Sequence, residues 1–291
     1  MRLHSPKDYA CLIVHGKDQP ALVEKVSSFI VRHSGNIIKL DQFSDEPEGG
    51  YFFQRVVFHC PDLEVVMPDL KQDLRKTLGS IGMHWRLTDQ AKPKRMAILA
   101  SQSDHCLMDL LWRHRRGLLP VTIPLVIANH PDHAEVVRSF DIPYYYVRSQ
   151  KGPDKSESEA RILELLAGAM PHFVVLARYM QILSESFLEQ IEVPVINIHH
   201  SFLPAFIGAN PYDRAKQRGV KLIGATAHYV TQDLDEGPII EQDVTRVNHT
   251  MSALDLRERG AFVERSVLSR AVTWHAEDRV IEHENHTIVF T

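Results

Sequence analysis

The sequence predicts two α/β domains: an N-terminal ferredoxin-like unit with the order βαββαβ, then a Rossmann-like unit with a mostly parallel sheet. A length of 291 residues favours two domains of roughly 150 residues each. Hydrophobic residues make up 44% of the chain and charged residues 24%, which excludes wholesale disorder. A polar, proline-bearing segment separates the two patterns. We therefore expect the first domain at 1–88, a linker at 89–95 and the second domain at 96–291.

The N-terminal domain is predicted from short apolar strands that alternate with amphipathic helices. Ala10–Val14 is an apolar strand, and a helix begins near Pro20, a residue favoured in the first helical turn. Gly35 is expected to end this helix in the left-handed conformation common at C-caps. The remaining elements are a hairpin of strands over 37–43 and 51–59, a helix over 63–78 and a strand over 83–87.

In the C-terminal domain strands alternate with helices, a pattern that predicts parallel strands joined by crossover helices. Strands are expected over 95–100, 121–128, 143–147, 173–177 and 194–198, and helices over 104–114, 157–169 and 184–190. After a long loop, a strand pair is expected over 224–230 and 238–244. A helix over 254–275 and a hairpin of 279–282 with 287–290 complete the chain.

Charge and cysteine content exclude several classes of protein. Lys and Arg number 33 against 37 Asp and Glu, so a protein that binds nucleic acid chiefly through its phosphates is disfavoured. Three scattered cysteines without a CxxC pair suit reduced thiols in the cytoplasm. No apolar run approaches the roughly 18 residues of a membrane span, and the N-terminus does not resemble a signal peptide. A cytoplasmic protein without membrane or nucleic-acid partners is expected.

The strand at 194–198 leads into the segment NIHHSFLP, which delivers several polar side chains where a buried strand ends. In open α/β sheets, ligands bind at this carboxyl edge. Asn197 and His199 are two residues apart and are expected to point the same way, while His200 is expected to point elsewhere. An amide N–H and an imidazolium N–H that converge form an oxyanion hole. The alternative is that both residues cap the strand end by bonding to loop backbone.

A second polar segment, HYVTQDLDEGP, begins at His228. Asp233 and Asp235 alternate along a loop before Gly237 turns the chain into an apolar strand. An aspartate beside an imidazole holds its tautomer, keeps it cationic, or accepts a proton from water. The alternative is a solvated acidic turn. The distance between His199 and Asp235 does not follow from the sequence.

Three further groups of candidate functional residues also fit purely structural roles. His283 and His286 lie three residues apart in the terminal hairpin, but no third or fourth ligand is suitably spaced, so no metal site is predicted. Cys106 opens a helix, where a thiolate can be stabilised, although a buried core residue suits it better. Asp18, Gln19 and Pro20 at a helix start indicate a cap, or alternatively a site where free N–H groups hold a ligand carboxylate.

Taken together, the two polar segments resemble the catalytic signature of folate-dependent formyl transfer enzymes. The matching residues are Asn197, His199, Ser201 and Pro204, followed by His228, Asp235 and Gly237. Upstream, LARYMQIL at 176–183 is similar to the folate-contacting segment of that family. The resemblance covers about residues 95 to 280. It implies that Asn197, His199 and Asp235 handle the formyl group of 10-formyltetrahydrofolate.

Within that family the chain looks most like the formyltetrahydrofolate deformylases. Residues 7–88, with DQPA at 18–21, resemble an ACT regulatory domain, and the run 199–209 resembles the deformylase version. Glycinamide-ribonucleotide transformylases usually have proline where His200 stands. They also carry glycines in the loop at 101–106, whose backbone approaches an acceptor phosphate, whereas this loop has none and Asp104 would repel a phosphate.

The resemblance implies hydrolysis of 10-formyltetrahydrofolate to tetrahydrofolate and formate, with no metal and no cofactor beyond the folate. Asn197 and protonated His199 are expected to stabilise the oxyanion while Asp235 acts as the base. The alternative is a formyltransferase with an amine acceptor. Further partners implied are a small amino-acid effector at Asp18, Gln19 and Pro20 and a second copy of the chain in a homo-oligomer. The expected substrate-binding residues are Met180, Gln181, Leu183, His200, Ser201, His228 and Asp233.

Overall fold

The computed structural model describes residues 7–46, 48–149, 155–204 and 211–291. They form two compact units. The first unit takes the chain up to Pro93 together with Glu277–Ile281 and Ile288–Thr291. The second takes Lys94–Ala276 and Glu282–Thr287. The predicted division differs from this one at the C-terminus, since it assigns all of 96–291 to the second domain.

The reason for this difference is a set of polar contacts within the first unit. The Arg55 guanidinium donates to the carbonyl oxygens of Glu277 and Asp278 at 2.9 and 2.8 Å. The carboxylate of Asp278, which is 1% exposed, pairs with Arg86 at 3.0 Å and accepts a hydrogen bond from Thr88. Two of the groups that hold the chain here are backbone carbonyls, which leave no signature in a sequence.

The first unit has the predicted βαββαβ order. Its elements are β1 (Tyr9–Lys17), α1 (Leu22–Arg32), β2 (Asn36–Ser44), β3 (Tyr51–His59), α2 (Leu63–Thr77) and β4 (His84–Asp89). The four strands form an antiparallel sheet in the order β2-β3-β1-β4. Apolar side chains of α1 and α2 pack on one face of the sheet. The ferredoxin-like prediction is confirmed.

The ends of α1 differ from the prediction. The helix ends at Arg32, and Ser34, with φ 57°, takes the left-handed conformation that was expected of Gly35. Gly35 is required for space instead, because a Cβ there would lie 2.7 Å from Cγ2 of Ile30. At the other end the N-cap position is Ala21, also left-handed with φ 67°, and no side chain caps the helix. A non-glycine residue in this conformation carries strain.

The second unit alternates strands and helices, as expected. Its strands are β5 (Lys94–Ala100), β6 (Val121–Thr122), β7 (Val126–Ala128), β8 (Tyr144–Tyr146), β9 (Phe173–Ala177), β10 (Val195–His199), β11 (Leu222–Tyr229) and β12 (Ile239–Arg246). Its helices are α3 (His105–Arg115), α4 (Ala134–Arg138), α5 (Ser156–Ala169), α6 (Glu185–Gln190), α7 (Pro211–Arg218) and α8 (Ala253–Ala276). The chain ends in the hairpin β13 (Val280–His283) and β14 (His286–Val289).

The sheet of the second unit runs in the order β12-β11-β10-β9-β5-β7-β8, and β6 pairs with β5. Strands from β5 to β10 are parallel, while β11 and β12 are antiparallel to their neighbours. The mostly parallel sheet is therefore confirmed. Among the described residues, no helix is both long enough and apolar enough to cross a bilayer.

Two local features of this unit depart from the sequence-based prediction. The strand expected over 121–128 is divided into β6 and β7, with Pro124 between them, since proline has no N–H to donate to a ladder. The helices α4 and α7 lie where loops were expected. Both are short, at 5 and 8 residues, and α7 is strongly polar, so neither shows a long apolar period.

The strain at Ala21 gives a stability prediction. Replacement of this residue by glycine, A21G, is expected to raise the free energy of unfolding by roughly 0.5–1 kcal/mol, because glycine adopts positive φ without a steric penalty. The matched control is Ala167→Gly at an exposed position within α5, where the same substitution is expected to cost roughly 0.5–1 kcal/mol. Urea denaturation followed by circular dichroism measures both. Destabilisation by A21G would contradict the argument.

Candidate active site

The central strand β10 carries the first group of candidate residues, where the sheet changes from parallel to antiparallel pairing. β9 runs parallel to β10 on one side, and β11 runs antiparallel on the other. In this register Asn197 lies opposite His228, and His199 lies opposite Thr226. Directly opposed residues present their side chains to the same face of a sheet. Asn197, His199 and His228 are therefore brought together, as the spacing of Asn197 and His199 predicts.

Asp235 completes this group of side chains. Its Oδ1 lies 3.2 Å from Nδ1 of His199 and 3.8 Å from Nε2 of His228. Nδ2 of Asn197 lies 3.2 Å from the same Nε2 of His228. The side chains of His199 and Asp235 are only 8% and 10% exposed. The two polar segments of the sequence thus form one buried cluster, which the sequence alone left open.

The hydrogen bonds assign a tautomer to His228. Its Nδ1 lies 2.9 Å from the carbonyl oxygen of Tyr229, which only accepts, so Nδ1 carries the proton. Burial lowers the pKa of His228, and the neutral ring has Nε2 free to accept. The Asn197 amide therefore donates to His228 through one N–H and keeps the second for another partner. His228 acts as a positioning residue for this amide.

His199 is held at one nitrogen and open at the other. Its Nδ1 faces the Asp235 carboxylate, while its Nε2 has no hydrogen-bond partner among the described residues. Burial raises the pKa of Asp235, but the hydrogen bond and charge of His199 outweigh it and hold the pKa below its usual value. Asp235 is therefore a carboxylate at neutral pH. Buried nitrogens are almost always paired, so an unpaired one at a strand end requires an explanation, and a ligand contact is one.

The loop that carries Asp235 depends on a close backbone approach. Tyr229 N donates to Pro238 O at 2.9 Å, which closes the loop between β11 and β12. A Cβ at Gly237 would lie 1.9 Å from the carbonyl oxygen of Tyr229, so no other residue fits. Asp235 itself is left-handed, with φ 59°. These constraints explain why an aspartate two residues before a glycine forms part of the signature.

The turn after β10 is fixed by a residue that the sequence analysis did not single out. Oγ1 of Thr226 accepts from Leu203 N at 3.0 Å and donates to Ser201 O at 2.9 Å. Nε2 of Gln242 donates to both Leu203 O and Thr226 Oγ1. Thr226 is fully buried on β11 and lies opposite His199 in the strand register. The pairing of β10 with β11 is the signal that could have identified this residue. The resembling residues 205–209 lie outside the described residues.

His200 corrects one prediction. It was expected to point away from His199, but it follows the last residue of β10, where strand alternation no longer applies. Its ring stacks on that of His199 with 5.3 Å between centroids and lines the same cleft. Burial, and next the positive charge of Arg178, lower the pKa of His200 to about 3. The ring is neutral at physiological pH.

These residues line a cleft of about 800 Å³ in the second unit. One wall is the segment 178–183, in which Met180 and Ile182 are more than half exposed. The loop 230–235 lines the cleft as well. Of the expected substrate-binding residues, those that line the cleft are Met180, Gln181, Leu183, His200, His228 and Asp233. Ser201 does not: it is 4% exposed, and its carbonyl accepts from Thr226 beneath the turn.

A second buried cluster at this cleft was missed by the sequence analysis. Glu264 on α8 is 1% exposed and accepts from Tyr212 at 2.6 Å and from His105 at 2.7 Å. Nε of Arg178 lies 3.3 Å from its Oε2. Burial raises the pKa of Glu264, but the hydrogen bond from His105 and the charge of Arg178 lower it to about 2. The residues come from four separate elements, so no local pattern announces them.

Cys106 lies close enough to His105 and Glu264 for the three to hold a metal ion geometrically. The chemistry of the set opposes it. Burial raises the pKa of the Cys106 thiol well above its usual value, whereas a metal requires the thiolate. Both carboxylate oxygens of Glu264 already accept hydrogen bonds, and the Arg178 cation stands beside them. The set is suited to a buried ion pair.

The remaining candidates are not among the residues that line this cleft. In the first unit, Asp18 and Gln19 precede α1, and Asp18 N donates to Gly50 O at 2.9 Å. Gln19 Nε2 approaches Ile81 O at 3.4 Å. The expected side-chain cap from this segment is not formed, since Ala21 occupies the N-cap position. His283 and His286 contact each other edge to face, with ring centroids 5.4 Å apart.

Comparisons with known proteins agree with this geometry. The family model described as formyl transferase matches residues 94–272. The formyltetrahydrofolate deformylase of Mycobacterium tuberculosis is 56% identical over 284 residues, which cover 97% of this chain and 91% of that protein. The crystal structure of a formyltetrahydrofolate deformylase from Pseudomonas syringae superposes with a TM-score of 0.92 at 43% identity, covering 97% of this chain and 94% of that one.

A transferase gives a narrower match. The crystal structure of glycinamide ribonucleotide transformylase 1 from Symbiobacterium toebii superposes with a TM-score of 0.65 at 28% identity. It covers 70% of this chain and 97% of its own. The deformylase match therefore extends over almost the whole chain, whereas the transformylase match does not.

The Glu264 cluster generates a pH-dependent stability prediction. Because the folded-state pKa of Glu264 is depressed, its carboxylate stabilises the fold fully above the unfolded value near 4.5. This stabilisation is lost as the pH falls toward about 2. Glu264→Gln leaves Arg178 without its counter-ion and is expected to cost roughly 3–5 kcal/mol at neutral pH. The difference between wild type and variant is expected to shrink below about pH 4.

Urea denaturation at about pH 7 and about pH 3 measures the effect. Glu164→Gln is the control, because Glu164 is 69% exposed in α5 and pairs only at the surface with Arg161. A Glu264→Gln penalty that is the same at both pH values would refute the assignment.

Proposed function

The chain belongs to the formyl transferase family and, within it, to the formyltetrahydrofolate deformylases, and we propose that its cleft hydrolyses 10-formyltetrahydrofolate to tetrahydrofolate and formate. The observation that carries the proposal is the convergence of Asn197, His199 and Asp235 at one strand end. All three residues line the same cleft.

Attack on the formyl carbonyl produces a tetrahedral oxyanion, which needs hydrogen-bond donors. The Asn197 amide has a free N–H, and the imidazolium form of His199 offers Nε2–H. Each such donor contributes on the order of 10²–10³ in rate when it is oriented in advance. The Asp235 carboxylate stabilises the imidazolium and fixes its orientation through Nδ1. No metal or cofactor besides the folate enters this proposal, since protein N–H groups supply the stabilisation.

The nucleophile is water, and Asp235 is the group that accepts its proton. The carboxylate is ionised at neutral pH and lies within reach of the reacting centre that His199 addresses. Water bound to a carbonyl carbon becomes acidic as the C–O bond forms, so a weakly basic carboxylate suffices in the transition state. The proton must finally reach N10 of the folate as the C–N bond breaks.

The apolar part of the cleft suits the folate ring system. Exposed Met180, Ile182 and Leu234 face this space, together with the polar groups of Gln181 and Asp233. Ligand sites commonly combine a mainly apolar slot with a few polar groups that fix orientation. Gln181 and Asp233 are the groups proposed to orient the pterin.

The alternative, transfer to an amine acceptor, has less support. The glycine-free loop 101–106 contributes Ser103 and Asp104 to the cleft, so a carboxylate stands where an acceptor phosphate would have to approach. Relatives at 40–56% identity over nearly the whole chain are deformylases. A transferase would release no formate without an acceptor, which separates the two activities.

Asp235→Asn is expected to lower kcat by about 100-fold or more, because the amide neither accepts the proton nor supports the imidazolium. The KM for the folate should change little, since Asp235 contacts the reacting group. The measurement follows formate and tetrahydrofolate from 10-formyltetrahydrofolate with no acceptor added. Asp243→Asn, at a half-exposed carboxylate paired with Arg270, is the control.

For the wild type, equal amounts of the two products are expected in this assay. Absence of turnover until an amine is supplied would contradict the hydrolase and favour the transferase. Near-normal kcat in Asp235→Asn would refute the role of this residue while leaving the hydrolase intact.

We also propose that the first unit binds a small amino-acid effector. No side chain caps α1, so the N–H groups of its first turn remain for a carboxylate, beside Asp18, Gln19 and Pro20. Calorimetry of the full chain with the small amino acids is expected to give heat with at least one of them. The corresponding amino-acid amides, which lack the carboxylate, are the control and should give none. No heat from any amino acid would contradict the proposal.

A homo-oligomer is proposed from the edge strand β2. Its side chains Ile38, Leu40 and Phe43 are each more than 40% exposed, and an apolar edge strand is suited to pairing with another chain.

The cytoplasmic location stays a prediction from the scattered cysteines.

A further inference from the structure

One charged side chain in the cleft has no part in the mechanism above. Arg178 follows β9 directly, and its side chain is 13% exposed and lines the cleft. Neither Nε nor Nη1 has a hydrogen-bond partner among the described residues. Buried donors are almost always paired, so two unpaired ones on a single guanidinium require an explanation.

The ion pair with Glu264 does not supply that explanation. Its shortest contact is 3.3 Å, from Nε to Oε2, and the geometry is not that of a hydrogen bond. Oε2 already receives a hydrogen bond from His105, and Oε1 receives one from Tyr212. Glu264 thus balances the charge of Arg178 without accepting a hydrogen bond from its Nε. A guanidinium with free N–H groups is the preferred protein partner of a carboxylate.

Arg178 lines the same cleft as Asn197, His199 and Asp235. Its charge is one of the causes that lower the pKa of His200, whose ring stacks on His199 at 5.3 Å. Nε2 of His199 is likewise unpartnered. His200, which also lines the cleft, is neutral and adds no charge. The cleft lining therefore holds two nitrogen-bearing groups, the Arg178 guanidinium and the His199 ring, and each stands beside its own carboxylate.

Hydrolysis creates an anion here that is absent at the start. Water forms a bond from its oxygen to the formyl carbon, the bond from that carbon to N10 breaks, and N10 takes up one proton. The formic acid released gives up its remaining acidic proton and becomes formate. The formyl amide is neutral, so a cation that interacts with the charge developing on its oxygen acts on the transition state and the product rather than on the substrate.

We propose that Arg178 forms a small-anion site in this cleft and receives the carboxylate of formate as it separates from N10. The proposal rests on the proposed hydrolase function, which names formate as the product. The free N–H groups of Arg178 hold the carboxylate, and Glu264, fixed by His105 and Tyr212, positions the guanidinium. Formate is the natural occupant, and other small monoanions of similar size bind in its place.

The test compares the wild-type full chain with Arg178→Met. Broadening of the ¹³C-formate resonance reports binding without turnover, and product inhibition by formate reports it during turnover. Both effects are expected in the wild type. In Arg178→Met the inhibition constant for formate is expected to rise about 10-fold or more, the loss typical of a charged hydrogen bond. Arg178→Lys keeps the charge but not the fork and is expected to fall between the two.

Two further variants control for structure. Arg257→Met removes a second cleft arginine, which is 54% exposed and paired with Asp213 at 2.6 Å, and formate binding is expected to be unchanged. Arg178→Met leaves the buried Glu264 carboxylate without its counter-ion, which can prevent folding. The double variant Arg178→Met with Glu264→Gln removes both charges and replaces the single variant in the test if that variant does not fold. It too is expected to lose the formate effects.

The site is refuted if line broadening and inhibition persist unchanged in the Arg178 variants, or if the wild type binds no formate. Failure of the proposed function would give a different result, because the wild type would then release no formate from 10-formyltetrahydrofolate. Line broadening that depends on Arg178 would still support the anion site in that case, because it does not require turnover.

Discussion

The contact between Nδ1 of His199 and Oδ1 of Asp235, at 3.2 Å, is the interaction on which the site depends. It joins the end of a central strand to a loop that follows the next strand in the sheet. Without the carboxylate, His199 would lose its fixed orientation and the support for its charged form. Because Nδ1 faces Asp235, Nε2 is the ring nitrogen left without a partner among the described residues. Two constraints place the carboxylate there: the β10–β11 register and the close approach of Gly237 to Tyr229.

The change of direction between β10 and β11 gives the site its form. In a purely parallel sheet the neighbour of β10 would offer another carboxyl end. Here β11 runs back, so His228 near its end lies opposite Asn197, and Thr226 lies opposite His199. One strand thus supplies both a partner for the Asn197 amide and a hydroxyl that fixes the turn after His199.

The sequence predicted the residues of the site better than their surroundings. Asn197, His199, His228 and Asp235 were identified because their spacing matches a family signature, and the two-residue period of a strand accounts for Asn197 and His199. The direction of His200 was wrong, because the strand ends one residue earlier. The Glu264 cluster gave no signal, since its members come from distant elements and are individually ordinary. Packing decides such contacts, and no local pattern encodes them.

Two buried carboxylates balance charge in the cleft. Asp235 and Glu264 both have lowered pKa values, and each stands beside a nitrogen-bearing side chain, His199 or Arg178, that has at least one nitrogen without a partner among the described residues. A lone buried cation would cost several kcal/mol of desolvation, whereas a paired one costs far less. Each pair is closer to neutral as a whole, and its nitrogens without a partner remain as possible donors. In the proposed mechanism, negative charge develops on the formyl oxygen when such donors are already in position, so little reorganisation energy is needed. The carboxylates thus make it possible to keep such donors in a largely buried site before any anion has formed.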